Sequence, residues 1–175
     1  MLSPIPKDEF FNALLQSYST YFDIESNVLI GNIAYAATAA YHSRSEKYVL
    51  VKKAKLWAAE TNEYVYFFVT TVLDNALFLS LTENVIHATL KKIRPHNEHM
   101  CSHMSLLVIA DQVDPSIYAT IQQKKYRKNF LFSLHGWTSL RIVAIDVSKR
   151  CIITNKDGNE IKHRLKKLLH KYQIY

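Results

Sequence analysis

The sequence contains few of the residues that mark tight turns, rigid linkers and covalent cross-links. Its 175 residues include three glycines, four prolines and two cysteines. So little glycine excludes the glycine-rich loops that cradle nucleotide phosphates, and so little glycine and proline excludes collagen-like and linker-rich chains. Cys101 and Cys151 can form one disulfide at most. Because the N-terminal residues show no export signal, we expect reduced thiols and a cytoplasmic protein.

The composition is otherwise that of a globular protein. Hydrophobic residues make up 49% of the chain and charged residues 21%, which predicts one α+β domain over residues 1–175. The window Tyr64–Thr82 is as long as a membrane span and holds a single charge, Asp74. At Asp74 the window changes from aromatic and β-branched residues to leucine and alanine. We therefore expect a strand, a helix cap and a buried helix here, and no membrane span.

The spacing of apolar residues predicts a mixed, mainly antiparallel β-sheet flanked by helices. The predicted order of elements is α-β-β-β-α-β-α-β-β-β-α. Helices are expected over 7–22, from a cap at Thr71 or Asp74 to Arg94, over 115–125 and over 160–171. Strands are expected over 33–43, 48–60, 63–70, 101–112, 130–134, 140–147 and 151–154, with turns at 43–47 and at 61–62.

The first six predicted elements, α-β-β-β-α-β, resemble the element order of the restriction-endonuclease-like core. Enzymes of that superfamily use an acidic residue on the second strand and a Glu-x-Lys pair on the third to hold magnesium and activate water. Here Glu60 ends the second predicted strand, and Glu63 opens the third, but Val65 stands where the pair needs lysine. Because fold alone does not give function, we expect this core order without nuclease chemistry.

Positive charge is concentrated in the C-terminal half of the chain, whose overall net charge is +7. Residues 1–87 carry six basic and nine acidic side chains, a net charge of −3. Residues 88–175 carry sixteen basic and six acidic side chains, a net charge of +10. Three clusters hold most of the excess: Lys91, Lys92 and Arg94; Lys124, Lys125, Arg127 and Lys128; and Lys162, Arg164, Lys166, Lys167 and Lys171.

Lysine and arginine side chains neutralise phosphates, and an exposed Tyr126 inside the second cluster would stack on a base. The charge pattern therefore predicts a polyanion-binding surface, with nucleic acid as one partner, made of Lys124, Lys125, Tyr126, Arg127, Lys128, Lys162, Arg164 and Lys166. Two other interpretations account for the same charge. Cations are favoured at helix C-termini, and two halves of opposite charge would let the chain self-associate as a homodimer.

Residues 96–103 (HNEHMCSH) contain three of the eight histidines and one of the two cysteines. Side chains two apart on a strand share a face, so His99, Cys101 and His103 point the same way if the strand begins by residue 99. Neighbours about 6.6 Å apart can share a divalent transition metal, whereas the outer pair, about 13 Å apart, cannot. A metal site therefore needs two of these residues with further ligands, for which His96 and His135 are the candidates. The alternative is a polar loop that runs into a packed strand.

Two further patterns surround this stretch. Cys101 with a nearby histidine also fits a nucleophilic pair, although no motif supplies an oxyanion hole. Gly136 between His135 and Trp137 permits a tight turn or a close backbone approach. The two side chains would then line a pocket, or the segment is a β-turn or bulge in which Trp137 caps the core.

Residues 96–100 and 108–111, and above all Tyr126–Trp137 (YRKNFLFSLHGW), resemble a family of short uncharacterised proteins from Gram-positive bacteria, a domain of unknown function. The resemblance runs from about residue 10 to residue 170. It implies a bacterial, cytoplasmic, single-domain protein and transfers no catalytic residue.

Three functional hypotheses follow from these observations. The first is a cytoplasmic binding module whose basic C-terminal half contacts an acidic partner such as nucleic acid. The second is a metal-dependent, hydrolase-like enzyme centred on His99, Cys101 and His103. The third is a non-catalytic interaction or structural protein that forms a dimer.

Overall fold

The structure is a computed structural model that describes residues 7–49 and 54–175, with side chains described over 7–45 and 59–175. The predicted strand over 48–60 therefore lies partly outside the described residues. The five helices are α1 Lys7–Tyr18, α2 Asn75–Lys92, α3 Tyr118–Gln123, α4 Asn159–Arg164 and α5 Lys166–Lys171. The seven strands are β1 Asp23–Ile30, β2 Ile33–Val49, β3 Ala54–Leu73, β4 His99–Val113, β5 Arg127–Asn129, β6 Trp137–Asp146 and β7 Cys151–Thr154.

The strands form one mixed sheet in the order β1-β2-β3-β4-β6-β5, with β7 also paired to β6. Strand β2 is antiparallel to β1 and β3, whereas β3, β4 and β6 run parallel to one another. Strands β5 and β7 are antiparallel to β6. The predicted α+β class is confirmed, and the predicted order of elements broadly matches the observed one.

Several predicted boundaries are wrong. Strand β1 was not predicted, because most of its residues are exposed and carry little apolar signal. The turns expected at 43–47 and 61–62 lie inside long strands, where Ser43 pairs with Thr61 and His42 with Asn62. Because β3 also pairs with β4 at these positions, its polar segment has ladder partners on both sides and stays extended.

Two apolar layers cover the two faces of the sheet. Helices α2 and α3 pack on one face through Phe78, Leu81 and Ile121. Helices α1, α4 and α5 cover the other face, with Phe10 and Ile161 fully buried there. This three-layer arrangement buries both faces of the parallel strands, as parallel sheets require.

The apolar window Tyr64–Thr82 spans a strand and a helix. The window divides into the end of β3 and the start of α2, and the Leu77 amide donates to the Asp74 carboxylate at 2.8 Å as an N-cap bond. Among the described helices, none is long and apolar enough to cross a membrane.

The polarity of the side chains on one face of the sheet changes along its parallel strands. On the face covered by α1 and α4, residues toward the C-terminal ends of these strands are apolar, for example Phe67, Leu107 and Val143. Toward the N-terminal ends the same face carries buried polar side chains instead: Glu63, Ser105, Ser139 and Arg141. Because buried polar groups need hydrogen-bond partners, these side chains form a polar cluster at this end of the sheet, which is the candidate functional site.

Candidate functional site

A buried charge network occupies the polar end of the sheet. The carboxylate of Glu63 on β3 accepts hydrogen bonds from both terminal nitrogens of Arg164 at 2.7 and 3.1 Å and from Ser105 Oγ at 3.1 Å. Arg141 on β6 lies 3.5 Å from the same carboxylate and donates to Glu160 at 2.6 Å. The side chains of Glu63 and Arg141 are 8% and 6% exposed, so this charge-paired network links the sheet to α4.

The network also bears on the comparison with nucleases. Burial alone would raise the pKa of Glu63, but hydrogen bonds from Arg164 and the positive charges of Arg164 and Arg141 outweigh it and lower that pKa. Glu63 is thus an ionised carboxylate neutralised by arginines. Val65, two residues further on, is fully buried in the core. At this position the carboxylate therefore faces two arginines, and residue 65 is a core contact.

Cys101 and His103 lie next to the network on β4. Cys101 Sγ is 3.6 Å from His103 Nε2, and His103 Nδ1 is 3.3 Å from Ser139 Oγ. Burial raises the pKa of the Cys101 thiol. Burial, aided by the positive charge of Arg141, lowers the pKa of His103 to about 4. At neutral pH both groups are therefore uncharged, which differs from the thiolate of reactive cysteines.

The depressed pKa of His103 predicts acid sensitivity. Between pH 6.5, the ordinary pKa of histidine, and about pH 4, the unfolded chain takes up a proton that the folded chain does not, so acid favours unfolding. The full stability is present above pH 6.5, and about 3 kcal/mol is lost by pH 4. Urea unfolding of His103→Gln across this window should show a smaller loss than the unsubstituted protein.

The exposed His163 provides the control for that experiment. His163→Gln should retain the full loss of stability between pH 6.5 and pH 4. An equal loss in His103→Gln and in the unsubstituted protein would contradict the assignment of this window to His103.

His99 lies apart from this pair, which corrects the expectation that His99, Cys101 and His103 share a face. The register between β3 and β4 shifts at this point, from Glu60 opposite His99 to Thr61 opposite Cys101. His99 Nδ1 donates to the His135 carbonyl at 2.7 Å. Its Nε2 lies within hydrogen-bond distance of Ser102 Oγ, at 2.8 Å. Strand alternation places Ser102 on the face opposite Cys101 and His103.

The remaining predicted metal ligands have other partners. His96 Nε2 lies 2.9 Å from the carboxylate of Glu60, which also pairs with Arg44. His135 contributes its backbone carbonyl to the contact with His99. Within residues 7–45 and 59–175, whose side chains the structure describes, no three His, Cys, Asp or Glu side chains lie close enough together to hold one metal ion.

The second basic cluster forms the end of the sheet beyond β6. We name Lys124, Lys125, Arg127 and Lys128 the basic edge. All three residues of β5 are exposed. The guanidinium of Arg127 stacks over the ring of Trp137, 4.0 Å from its centroid. Lys128 Nζ lies 5.7 Å from the centroid of the Phe130 ring.

Buried hydrogen bonds fix the basic edge to the sheet. The Leu140 amide donates to the Tyr126 carbonyl at 3.1 Å. The side-chain amide nitrogen of Asn155, Nδ2, donates to the Lys124 carbonyl at 3.0 Å and to the Leu140 carbonyl at 2.9 Å. Tyr126 itself packs against the core and is half-buried, so its ring is less available for stacking than predicted.

A strained turn over residues 130–136 follows the basic edge. The strand predicted over 130–134 is wrong, because Leu131, Phe132 and Ser133 all adopt positive φ angles of 45°, 51° and 72°. Such left-handed backbone costs energy in residues with a Cβ atom. The turn leaves the Phe132 side chain 96% exposed and Leu134 71% exposed. An aromatic ring is therefore held in solvent in the turn that follows the basic edge.

The third basic cluster divides between two environments. Arg164 faces the sheet and pairs with Glu63. Lys162 and Lys166 line a separate pocket formed by α4 and α5. Of the eight predicted polyanion-binding residues, four thus form the basic edge, two line the pocket, one arginine is committed to an ion pair, and Tyr126 is half-buried.

The charge network was missed by the sequence reasoning, although a signal for it exists. Arg141 stands between Leu140 and Ile142 in an apolar strand. A charged residue in a fully buried segment needs an opposite charge nearby. That rule predicts a partner for Arg141, but Glu63 lies 78 positions earlier and only the fold brings the two together.

Comparison with known proteins identifies one family. The family model described as Domain of unknown function (DUF8052) matches residues 7–167. No curated protein and no solved structure matches the chain.

Proposed function

The chain belongs to the DUF8052 family, a domain of unknown function, and we propose that it is a binding module whose basic edge contacts single-stranded nucleic acid. The observation that carries this proposal is the exposed Phe132 ring in the turn that follows the basic edge directly in the chain. Single-strand binding proteins combine cations that follow the phosphate backbone with aromatic rings on which bases stack.

Local charge supports an anionic partner. The segment 124–137 contains four lysines and arginines and no acidic residue. Stacking on Trp137 holds the Arg127 guanidinium in a defined position at the edge, which reduces the conformational entropy that phosphate binding would cost. The partner proposed here is intracellular, in keeping with the cytoplasmic location expected from the sequence.

The shape of the 130–136 turn supports stacking. A non-glycine residue in left-handed backbone persists where the surrounding structure holds it, and such strain is concentrated at functional sites. Here hydrogen bonds from the His135 amide to the Phe130 carbonyl at 3.1 Å and from the Phe130 amide to the Gly136 carbonyl at 2.9 Å close the turn. The ring of Phe132 therefore projects from a rigid support, and base stacking on it needs no rearrangement.

Substitution of Phe132 tests the stacking contact. Fluorescence anisotropy with labelled oligothymidylate should show that Phe132→Leu weakens binding about five- to a hundredfold, because leucine has no ring face for a base. Phe132→Tyr should bind as well as the unsubstituted protein. The side chain is 96% exposed, so neither substitution should change the stability of the fold.

Two further measurements separate nucleic acid from other partners. Arg127→Ala combined with Lys128→Ala should weaken oligothymidylate binding. Lys91→Ala combined with Lys171→Ala removes the same charge elsewhere and should leave that binding unchanged.

Vesicles containing phosphatidylserine distinguish an anionic bilayer from nucleic acid as the partner. Phe132→Leu would still enter a bilayer through its apolar side chain. Vesicle binding that survives Phe132→Leu, without oligothymidylate binding, would overturn the proposal.

A further inference from the structure

A pocket of about 520 Å³ lies between α4, α5 and the last residues of the chain. Neither the charge network nor the basic edge uses it. Its volume falls within the range of about 300–1,000 Å³ typical of small-molecule sites. The pocket therefore raises the question of a ligand that is distinct from the proposed nucleic acid.

Two lysines stand at the rim of the pocket. Lys162 of α4 and Lys166 of α5 line it, together with His163 and His170. Among the described residues that line this pocket, no carboxylate side chain is present. The nearby acid of α4, Glu160, instead bonds Arg141 at 2.6 Å on the side of the sheet. Positive charge at the rim is thus available to an anion.

The floor of the pocket is apolar. Leu169 and Ile174 form it and are 4% and 3% exposed. The chain folds back after α5, and the Ile174 amide donates to the Leu169 carbonyl at 2.9 Å. The Tyr175 amide then donates a hydrogen bond to the Arg150 carbonyl, and the Ile152 amide donates one to the Tyr175 backbone oxygen, both at 2.9 Å. This fold-back builds a fixed apolar wall opposite the cations.

We propose that the pocket binds a small organic anion that has an apolar body and a phosphate or carboxylate head. Lys162 and Lys166 hold the head, and Leu169 and Ile174 contact the apolar body. The charge at the rim selects an anion, and the buried floor gives affinity to a ligand that carries hydrocarbon. This inference is independent of the proposed function, because the basic edge takes no part in it.

Calorimetric titration with hexyl phosphate tests the cationic rim. Lys166→Ala should weaken binding about tenfold, because one charge-assisted hydrogen bond to the head is lost. Lys167→Ala is the matched control. It removes the same charge from the next position of α5, and Lys167 does not line the pocket, so its affinity should equal that of the unsubstituted protein. Equal loss in both variants, or no binding of hexyl phosphate, would overturn the proposal.

The apolar floor is tested with the ligand, because substitution of the buried Leu169 would disturb folding. Butyl, hexyl and octyl phosphate should bind progressively more tightly, by about threefold to fourfold for each added methylene group that the floor covers. Inorganic phosphate should bind more weakly than all three. If inorganic phosphate binds as tightly as hexyl phosphate, the site takes only the anionic head and the proposal is wrong.

Discussion

Replacing Arg141 with methionine should lower the free energy of unfolding by about 3–5 kcal/mol. The side chain of Arg141 is 6% exposed and lies between the carboxylates of Glu63 and Glu160. Its removal leaves Glu63, which is buried, with one arginine instead of two. A buried charge that loses a partner destabilises a fold more than the intact pair stabilises it. Urea-induced unfolding at neutral pH measures the effect.

Two comparisons distinguish this cause from a simple loss of packing. Arg127→Met removes an exposed arginine from the neighbouring strand and should cost no more than about 1 kcal/mol. Glu63→Leu combined with Arg141→Met should be more stable than Arg141→Met alone, because the buried carboxylate that lost a partner is then absent too. If the double variant is less stable than the single one, packing and not charge explains the effect of Arg141.

Gly136→Ala should lower the free energy of unfolding by about 2–4 kcal/mol. Gly136 has a φ of 76°, and an added Cβ atom would lie 2.4 Å from the Met100 carbonyl oxygen and 2.5 Å from the His99 carbonyl oxygen. Both obstacles are backbone atoms that cannot rotate away. The 130–136 turn would have to move away from β4, which would also displace Phe132 and weaken oligothymidylate binding.

Gly31 is the matched control for this substitution. It also has a positive φ, of 64°, but an added Cβ atom would meet only the side-chain nitrogen of Asn84, at 3.3 Å. Gly31→Ala should therefore cost about 1 kcal/mol, the backbone strain alone. Thermal unfolding of the two variants compares them directly. Equal losses would show that strain, without the backbone overlap, accounts for the effect at Gly136.

The sequence was informative about the central elements, because strands buried on both faces, such as β4 and β6, are near-continuous apolar runs bounded by polar residues. It was less informative about strand ends. The exposed edge strand β1 has few apolar residues, and the polar segments of β2 and β3 look like turns although neighbouring strands hold them extended. These are tertiary effects that a local pattern does not contain.

Some features of the candidate site could likewise be predicted from the sequence, and others could not. Counting charges located the basic edge, since clustered lysines and arginines are visible without a structure. The left-handed turn could not be predicted. Glycine normally marks such backbone, and Leu131, Phe132 and Ser133 are not glycines. The orientation of His99 was hidden too, since the shift of register after residue 99 changes its face without altering the strand pattern.

The salt dependence of oligothymidylate binding tests the central claim most directly. Contacts from the four cations of the basic edge should give a slope of about −3 in a plot of log affinity against log salt concentration. Arg127→Ala combined with Lys128→Ala should reduce the magnitude of that slope by about 1–1.5, because two phosphate contacts are lost. A slope near zero, or a slope that this double variant leaves unchanged, would contradict the assignment of the basic edge as a phosphate-binding surface.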